Sequence, residues 1–175
     1  MSLSHPADAD IAALAMQAGQ ALLSAGLKVV TAESCTGGGV AAALTDVSGS
    51  SQWFERGYVT YSNAAKLHDL HVEPAALERH GAVSAAIVEQ MAVGALRASG
   101  ADVAVAVSGV AGPDGGTADK PVGLVFLAVV RRGGAVKVLR EQYVGDRAAV
   151  RRAAVAAALR LIMQAATSTT FGVRN

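Results

Sequence analysis

The chain has 175 residues, 52% of them apolar, and a net charge of +1, which suits one well-packed core and argues against two typical domains. Scattered lysines and arginines, with only one tryptophan, three tyrosines and three phenylalanines, leave no basic or base-stacking surface and so exclude nucleic acid as a partner. The longest apolar run, Val122 to Val130, is too short to span a bilayer, and the single cysteine, Cys35, rules out an internal disulfide or a cysteine metal cage.

The first segment, Ala7 to Ser24, repeats Ile11, Leu14, Ala15, Ala18 and Leu22 at helical spacing before Gly26 stops it. No basic stretch followed by an apolar one precedes it, so no signal peptide is expected and the predicted location is cytoplasmic. Leu27 to Thr31 reads as a first strand, followed by the turn Ala32-Glu-Ser-Cys-Thr-Gly-Gly-Gly39 and a helix over Val40 to Val47. The β formers of Gly57 to Ser62 predict a second strand, and short helices follow over Asn63 to Leu70 and Glu73 to His80. Ser84 caps a helix whose Ile87, Met91, Ala95 and Ala98 share one face as far as Gly100. Asp102 to Val107 is a third strand leading into the glycine-rich loop Ser108 to Gly116. Val122 to Val130 and Ala135 to Tyr143 are the last strands, with Arg131 to Gly134 as the hairpin turn between them. Asp146 caps a final helix running to about Ala166.

Alternating helices and strands with one hairpin predict an α/β fold, a three-layer α/β/α sandwich around a mixed, mostly parallel sheet. A single domain is expected over residues 1–167, with 168–175 as a flexible tail.

The chemistry concentrates in the turn after the first strand. There the first N–H groups of a helix lack intrahelical partners and face the loop mouth, a favourable place for an anion. Ser34 and Cys35 compete as nucleophile in this turn: a thiol is intrinsically stronger, yet a lone cysteine is commonly a small buried hydrophobe. Lys66 is the candidate base, because it follows the second strand and sites in α/β folds gather at the carboxyl ends of strands, where Tyr61 and Ser108 also fall. To accept a proton near neutral pH it must be buried, since desolvation lowers a lysine pKa. The Gly109–Gly116 loop, with Gly109 and Gly112, can bring backbone N–H groups close to a phosphate or carboxylate, and Arg147 at a helix start adds a planar donor. His68 and His71 have no convincing third ligand beyond Asp69, so no metal site is expected. Trp53 and Phe54 are expected under a loop or at a subunit contact.

Taken together, Ala32-Glu-Ser-Cys-Thr-Gly-Gly38, Gly49-Ser-Ser51, Trp53-Phe-Glu-Arg-Gly57, Val59-Thr-Tyr-Ser-Asn63, Lys66, His80-Gly-Ala-Val-Ser84, Ser108 to Gly116 and Lys120-Pro-Val-Gly123 resemble the CinA C-terminal domain family over nearly the whole chain. The likeness is to the stand-alone form, without the amino-terminal domain of longer CinA proteins. It implies hydrolysis of the carboxamide of nicotinamide mononucleotide, with no metal or organic cofactor, by a homo-oligomer whose contact uses helices or the Trp53 segment. By the same resemblance Ser34 is the nucleophile, Lys66 its base and Tyr61 a polar partner. Thr36, Gly37, Gly38, Ser51, Ser108, Gly109, Gly112 and Arg147 are the residues expected to bind the substrate. Ser108 stands where some relatives carry threonine, and Arg147 falls near the phosphate. The N–H groups from Cys35 to Gly38 are candidate oxyanion donors. A non-catalytic nucleotide- or partner-binding module, or an amidase for another small pyridine or purine compound, are the alternatives.

Overall fold

The computed structural model describes residues 6–168; the expected tail beyond 168 lies outside them. Helix α1 (Asp8–Ala25) ends at Gly26, whose left-handed backbone (φ 64°) turns the chain into β1 (Val29–Glu33). One position of α1 must be small: a Cβ on Gly19 would come within 2.6 Å of the Trp53 ring. Trp53 is therefore an internal residue, 3% exposed beneath α1, and Phe54 packs half-buried against the same core. Of the two expected places for Trp53, under a loop or at a subunit contact, its side chain takes an internal one.

After β1 the chain forms α2 (Gly39–Thr45), a short 3-10 turn (Ser50–Gln52), β2 (Phe54–Val59), α3 (Asn63–Leu70), α4 (Pro74–His80) and α5 (Ala85–Ser99). Then come β3 (Val103–Gly109), β4 (Leu124–Arg131), β5 (Lys137–Gln142) and α6 (Arg147–Thr167). The sheet order is β2-β1-β3-β4-β5. Pairing of β1 with β2 and β3 is parallel, whereas β3–β4 and β4–β5 are antiparallel. The sheet is thus mixed as expected but evenly divided rather than mostly parallel. The physical reason is that no helix crosses over between β3 and β4, and β4 and β5 are joined by the predicted hairpin, closed by Gly134 N–H donating to the Arg131 carbonyl at 2.8 Å.

Period-two alternation divides the core between two helical layers. Val103, Val105, Val107, Val125, Leu127 and Val129 face α1, α2 and α6. Ala104, Ala106, Ala128 and Val130 face the layer of α3, α4 and α5. The alanines leave room for α5 to lie close, and that layer is tight: a Cβ on Gly94 would fall 2.0 Å from the Leu70 carbonyl oxygen. The sandwich is the expected α/β/α arrangement.

The first strand lies later than predicted and the second earlier. β1 continues to Glu33 and β2 ends at Val59, three residues before the expected limit. Glu33 pairs with Val59 on one side and Val107 on the other. Ser34, Thr60 and Ser108 consequently emerge side by side at the carboxyl edge of the three parallel strands, the place where α/β folds build sites.

Candidate active site

The turn after β1 is held at both of its ends. Ser34 N–H donates to the Val107 carbonyl at 2.9 Å, Gly37 N–H to the Ser34 carbonyl at 2.9 Å and Gly39 N–H to the Thr36 carbonyl at 3.1 Å. Gly37 (φ 58°) and Gly38 (φ 92°) occupy left-handed backbone, which a side chain would strain. At the far end the fully buried Glu33 carboxylate accepts from Val40 N–H at 3.0 Å and Ala41 N–H at 2.8 Å. These are orphan donors of α2. The protein supplies its own anion to them, so the expectation that they face an occupant of the loop mouth is corrected. Gly37 N–H is also spent inside the turn, which narrows the oxyanion candidates to the N–H groups of Cys35, Thr36 and Gly38.

Lys66 sits one turn into α3, whose start is capped by Ser62 Oγ accepting from Ala65 N–H at 3.1 Å. Long side chains on a helix lean toward its N-terminus, and that lean carries Lys66 back over the strand ends. Its ammonium nitrogen donates to Thr60 carbonyl at 2.7 Å, to Ser34 Oγ at 3.1 Å and to Tyr61 carbonyl at 3.4 Å. Lys66 is only 1% exposed, and burial holds its pKa below the ordinary lysine value. A basic amine therefore touches the hydroxyl of Ser34 in a largely dry setting.

Cys35 has the opposite environment for a nucleophile. Burial pushes its thiol up to about 11, outweighing a backbone hydrogen bond that lowers it; the neighbouring Glu33 also raises it, and Arg151 and Lys66 lower it more weakly. At neutral pH it is a protonated, enclosed thiol.

Tyr61 reaches Lys66 through its backbone carbonyl, since its phenol points elsewhere. The ring is 57% exposed, and its hydroxyl accepts from Arg147 Nη2 at 2.9 Å while Arg147 Nη1 donates to the Gly112 carbonyl at 2.9 Å. Arg147 opens α6 immediately after its cap, Asp146, whose carboxylate accepts from Ala149 N–H at 2.8 Å. The arginine thus joins the glycine-rich loop to the rim of the Ser34 site. Ser108 is buried, its hydroxyl donating to the Ala82 carbonyl at 2.8 Å. Gly109 is small because a Cβ would lie 2.7 Å from the Leu124 carbonyl, and Gly112 because one would lie 2.5 Å from Val122. The loop is fastened on its other side where Lys120 Nζ donates to the His80 carbonyl.

Thr36 is fully buried, with no hydrogen-bond partner for its hydroxyl. Ser51 is exposed in the 3-10 turn ahead of β2, at the amino ends of the parallel strands and opposite Ser34; within one chain it does not join the site. His68 pairs with Asp69 on the surface at 2.8 Å, and among the described residues no group of three His, Cys, Asp or Glu is placed to hold a metal. No helix is long and apolar enough to cross a membrane among the described residues. Sequence reasoning missed two residues that hold the turn, Glu33 and Arg151, the latter donating from Nη2 to the Thr36 carbonyl at 2.8 Å.

Comparison with known proteins gives a consistent result. The family model of the CinA C-terminal domain matches residues 11–166. The nicotinamide-nucleotide amidohydrolase PncC of Escherichia coli K12 is 53% identical over 157 residues, covering 90% of this chain and 95% of that protein. PncC of Pseudomonas putida is 55% identical over the same length, covering 90% of this chain and 98% of its own. Among solved structures, the competence/damage-inducible protein CihA of Agrobacterium tumefaciens superposes with a TM-score of 0.88 at 47% identity, over 94% of this chain and 99% of the other.

Proposed function

We propose, proceeding from the fact that this chain belongs to the CinA C-terminal domain family, that it is a nicotinamide-nucleotide amidohydrolase using Ser34 as nucleophile and Lys66 as base. The substrate class comes from the PncC relatives. The observation that carries the mechanism is the 3.1 Å contact between Lys66 Nζ and Ser34 Oγ, with the lysine buried and its pKa lowered.

In its neutral form Lys66 has two N–H donors and one lone pair. The carbonyls of Thr60 and Tyr61 take the donors, which leaves the lone pair for the Ser34 hydroxyl proton. Ser34 Oγ attacks the carboxamide carbon of nicotinamide mononucleotide as Lys66 takes that proton. The oxyanion that forms is met by N–H groups among Cys35, Thr36 and Gly38. When the C–N bond breaks, Lys66 returns the proton to the departing nitrogen and ammonia leaves. Water then attacks the ester, Lys66 takes one water proton and delivers it to Ser34 Oγ, and the nicotinic acid mononucleotide departs as a carboxylate once its remaining carboxyl proton passes to solvent. No metal or organic cofactor takes part in this reading.

Arg147 and the Gly109–Gly116 loop serve the phosphate. Tyr61 orients both ends of the site, the base through its carbonyl and Arg147 through its hydroxyl. A cytoplasmic homo-oligomer acting in pyridine-nucleotide salvage completes the proposal. The deciding assay measures ammonia release across nicotinamide, its riboside and its mononucleotide. Selective turnover of the mononucleotide that disappears in Ser34→Ala supports the reading; equal turnover of free nicotinamide, or an active Ser34→Ala protein, rejects it.

A further inference from the structure

Helix α6 presents three residues at successive i, i+4 positions to the site side of the fold. Arg147 holds the Gly112 carbonyl and the Tyr61 hydroxyl. Arg151 donates to the Thr36 carbonyl. Val155 packs where a Cβ on Gly39 would lie 3.1 Å from its methyl group. One helical stripe thus touches the glycine-rich loop, the middle of the nucleophile turn and the start of α2 in order.

The middle contact acts on an otherwise weakly restrained stretch of backbone, because Gly37 and Gly38 have no side chains to fix it. Both faces of the Thr36–Gly37 peptide are occupied. Its carbonyl accepts from Arg151 Nη2 at 2.8 Å and from Gly39 N–H at 3.1 Å, and its N–H donates to the Ser34 carbonyl at 2.9 Å. A carbonyl has two lone pairs, so this one is saturated. The immobilised peptide lies between the Cys35–Thr36 and Gly37–Gly38 peptides, which carry two of the remaining oxyanion candidates. Its orientation therefore decides where those N–H groups aim. The half-buried guanidinium also keeps its Nε enclosed without a partner, a desolvation cost that the Thr36 contact helps to offset.

We infer that Arg151 is a positioning residue of the amidase reaction: from α6 it locks the Thr36–Gly37 peptide, and so holds the oxyanion donors that flank it, without itself touching substrate. This rests on the Ser34 acyl-transfer reading above. It assigns to Arg151 a role distinct from that of Arg147 one turn earlier, which faces the nucleotide side of the site.

The test compares Arg151→Lys, Arg151→Gln and Arg151→Met with the wild type, well below each protein's melting temperature. Two rates are followed: steady-state ammonia release from the mononucleotide, and covalent labelling of Ser34 by an alkyl fluorophosphonate read by intact mass. In the expected result Arg151→Met and Arg151→Gln lower kcat about ten- to hundredfold with KM held within about twofold, as for loss of help confined to the transition state. Labelling slows in parallel, and Arg151→Lys, which keeps a cation within reach of the carbonyl, recovers much of both. Wild-type kcat and labelling in Arg151→Gln, even with a lowered melting temperature, would overturn the role, as would a loss carried chiefly by KM or an equal loss in the Lys and Gln variants. A wild type labelled at Ser34 that releases no ammonia from the mononucleotide removes the substrate reading alone, and the labelling rates still decide Arg151. A wild type never labelled at Ser34 counts against the nucleophile and against this role with it.

Discussion

Tyr61 and Arg147 are 86 residues apart in sequence, and the phenol oxygen of one lies 2.9 Å from a guanidinium nitrogen of the other. The contact closes the rim of the Ser34 site between the end of β2 and the start of α6. Because Arg147 also holds the Gly112 carbonyl, two loops and a helix are positioned by a single planar group.

Arg147→Ala is accordingly expected to lower kcat/KM for the mononucleotide by about ten- to hundredfold, the worth of one charge-assisted contact. Activity on the riboside, which has no phosphate, should change little. Tyr61→Phe should cost less than Arg147→Ala, and the double variant should lose less than the sum, since the two act as a pair. Michaelis constants and turnover on both substrates check this; equal losses on riboside and mononucleotide would place Arg147 in the fold or the chemistry instead.

Ser34→Ala should lower ammonia release by about three orders of magnitude or more while preserving the fold. Cys35→Ala should keep most activity, because a thiol pushed up to about 11 by burial is neither ionised nor accessible at neutral pH. Circular dichroism with the kinetic assay distinguishes the two; the reverse pattern would transfer the nucleophile to Cys35.

Lys66 carries a pH prediction of definite sign. Its folded pKa lies below the ordinary lysine value of 10.5 because burial disfavours the charged form. Activity should fall as pH drops through that lowered value, since protonation removes the base. In the window between the lowered value and the ordinary one, the unfolded chain binds more protons than the folded one, so stability should rise with pH across it. Lys66→Met should be inactive at every pH, should flatten that rise, and should be more stable than the wild type near neutrality. Denaturation series at several pH values read the slope, and an unchanged slope in Lys66→Met would contradict the assignment.

Glu33→Ala should destabilise the protein by about 2–3 kcal/mol, the range for losing charge-assisted hydrogen bonds, and should lower kcat because α2 and the turn before it lose their shared anchor. Glu33→Gln should lie between, as its amide oxygen can accept from only one end of the pair while its NH2 group opposes the other donor. Urea unfolding and turnover measured together check both effects. Unchanged stability in Glu33→Ala would mean that water replaces the carboxylate at no cost.

The sequence makes Ser34, Lys66 and Tyr61 visible because each stands in a motif of unusual composition next to a strand. Arg147 is visible only as a helix-start arginine, and its partners come from the tertiary fold. Glu33 escaped because an acidic residue breaks an apolar run and reads as the end of a strand; only its two backbone donors, seven and eight residues on, explain how it can be buried. Arg151 resembles any arginine in an alanine-rich helix until the Thr36 carbonyl is seen above it. In sequence, Trp53 reads as either an internal or a contact residue, because the space it fills is created by Gly19, on a different element. Ser51 shares a motif with the site, yet strand direction puts it at the other end of the sheet.

The division of the core into two helical layers has a consequence for how the protein fails. The Ser34 turn leads into α2, packed with α1 and α6, whereas Lys66 rides on α3 beside α5. Ser34 and Lys66 meet only where the sheet holds both layers at once. Detachment of either layer, as a cooperative opening short of global unfolding, separates Ser34 from Lys66 while the other layer keeps its own core cluster. If Ser34 and Lys66 react as proposed, turnover requires both layers to be docked, and in a denaturant series it should vanish at the first sub-global opening, ahead of the loss of bulk secondary structure.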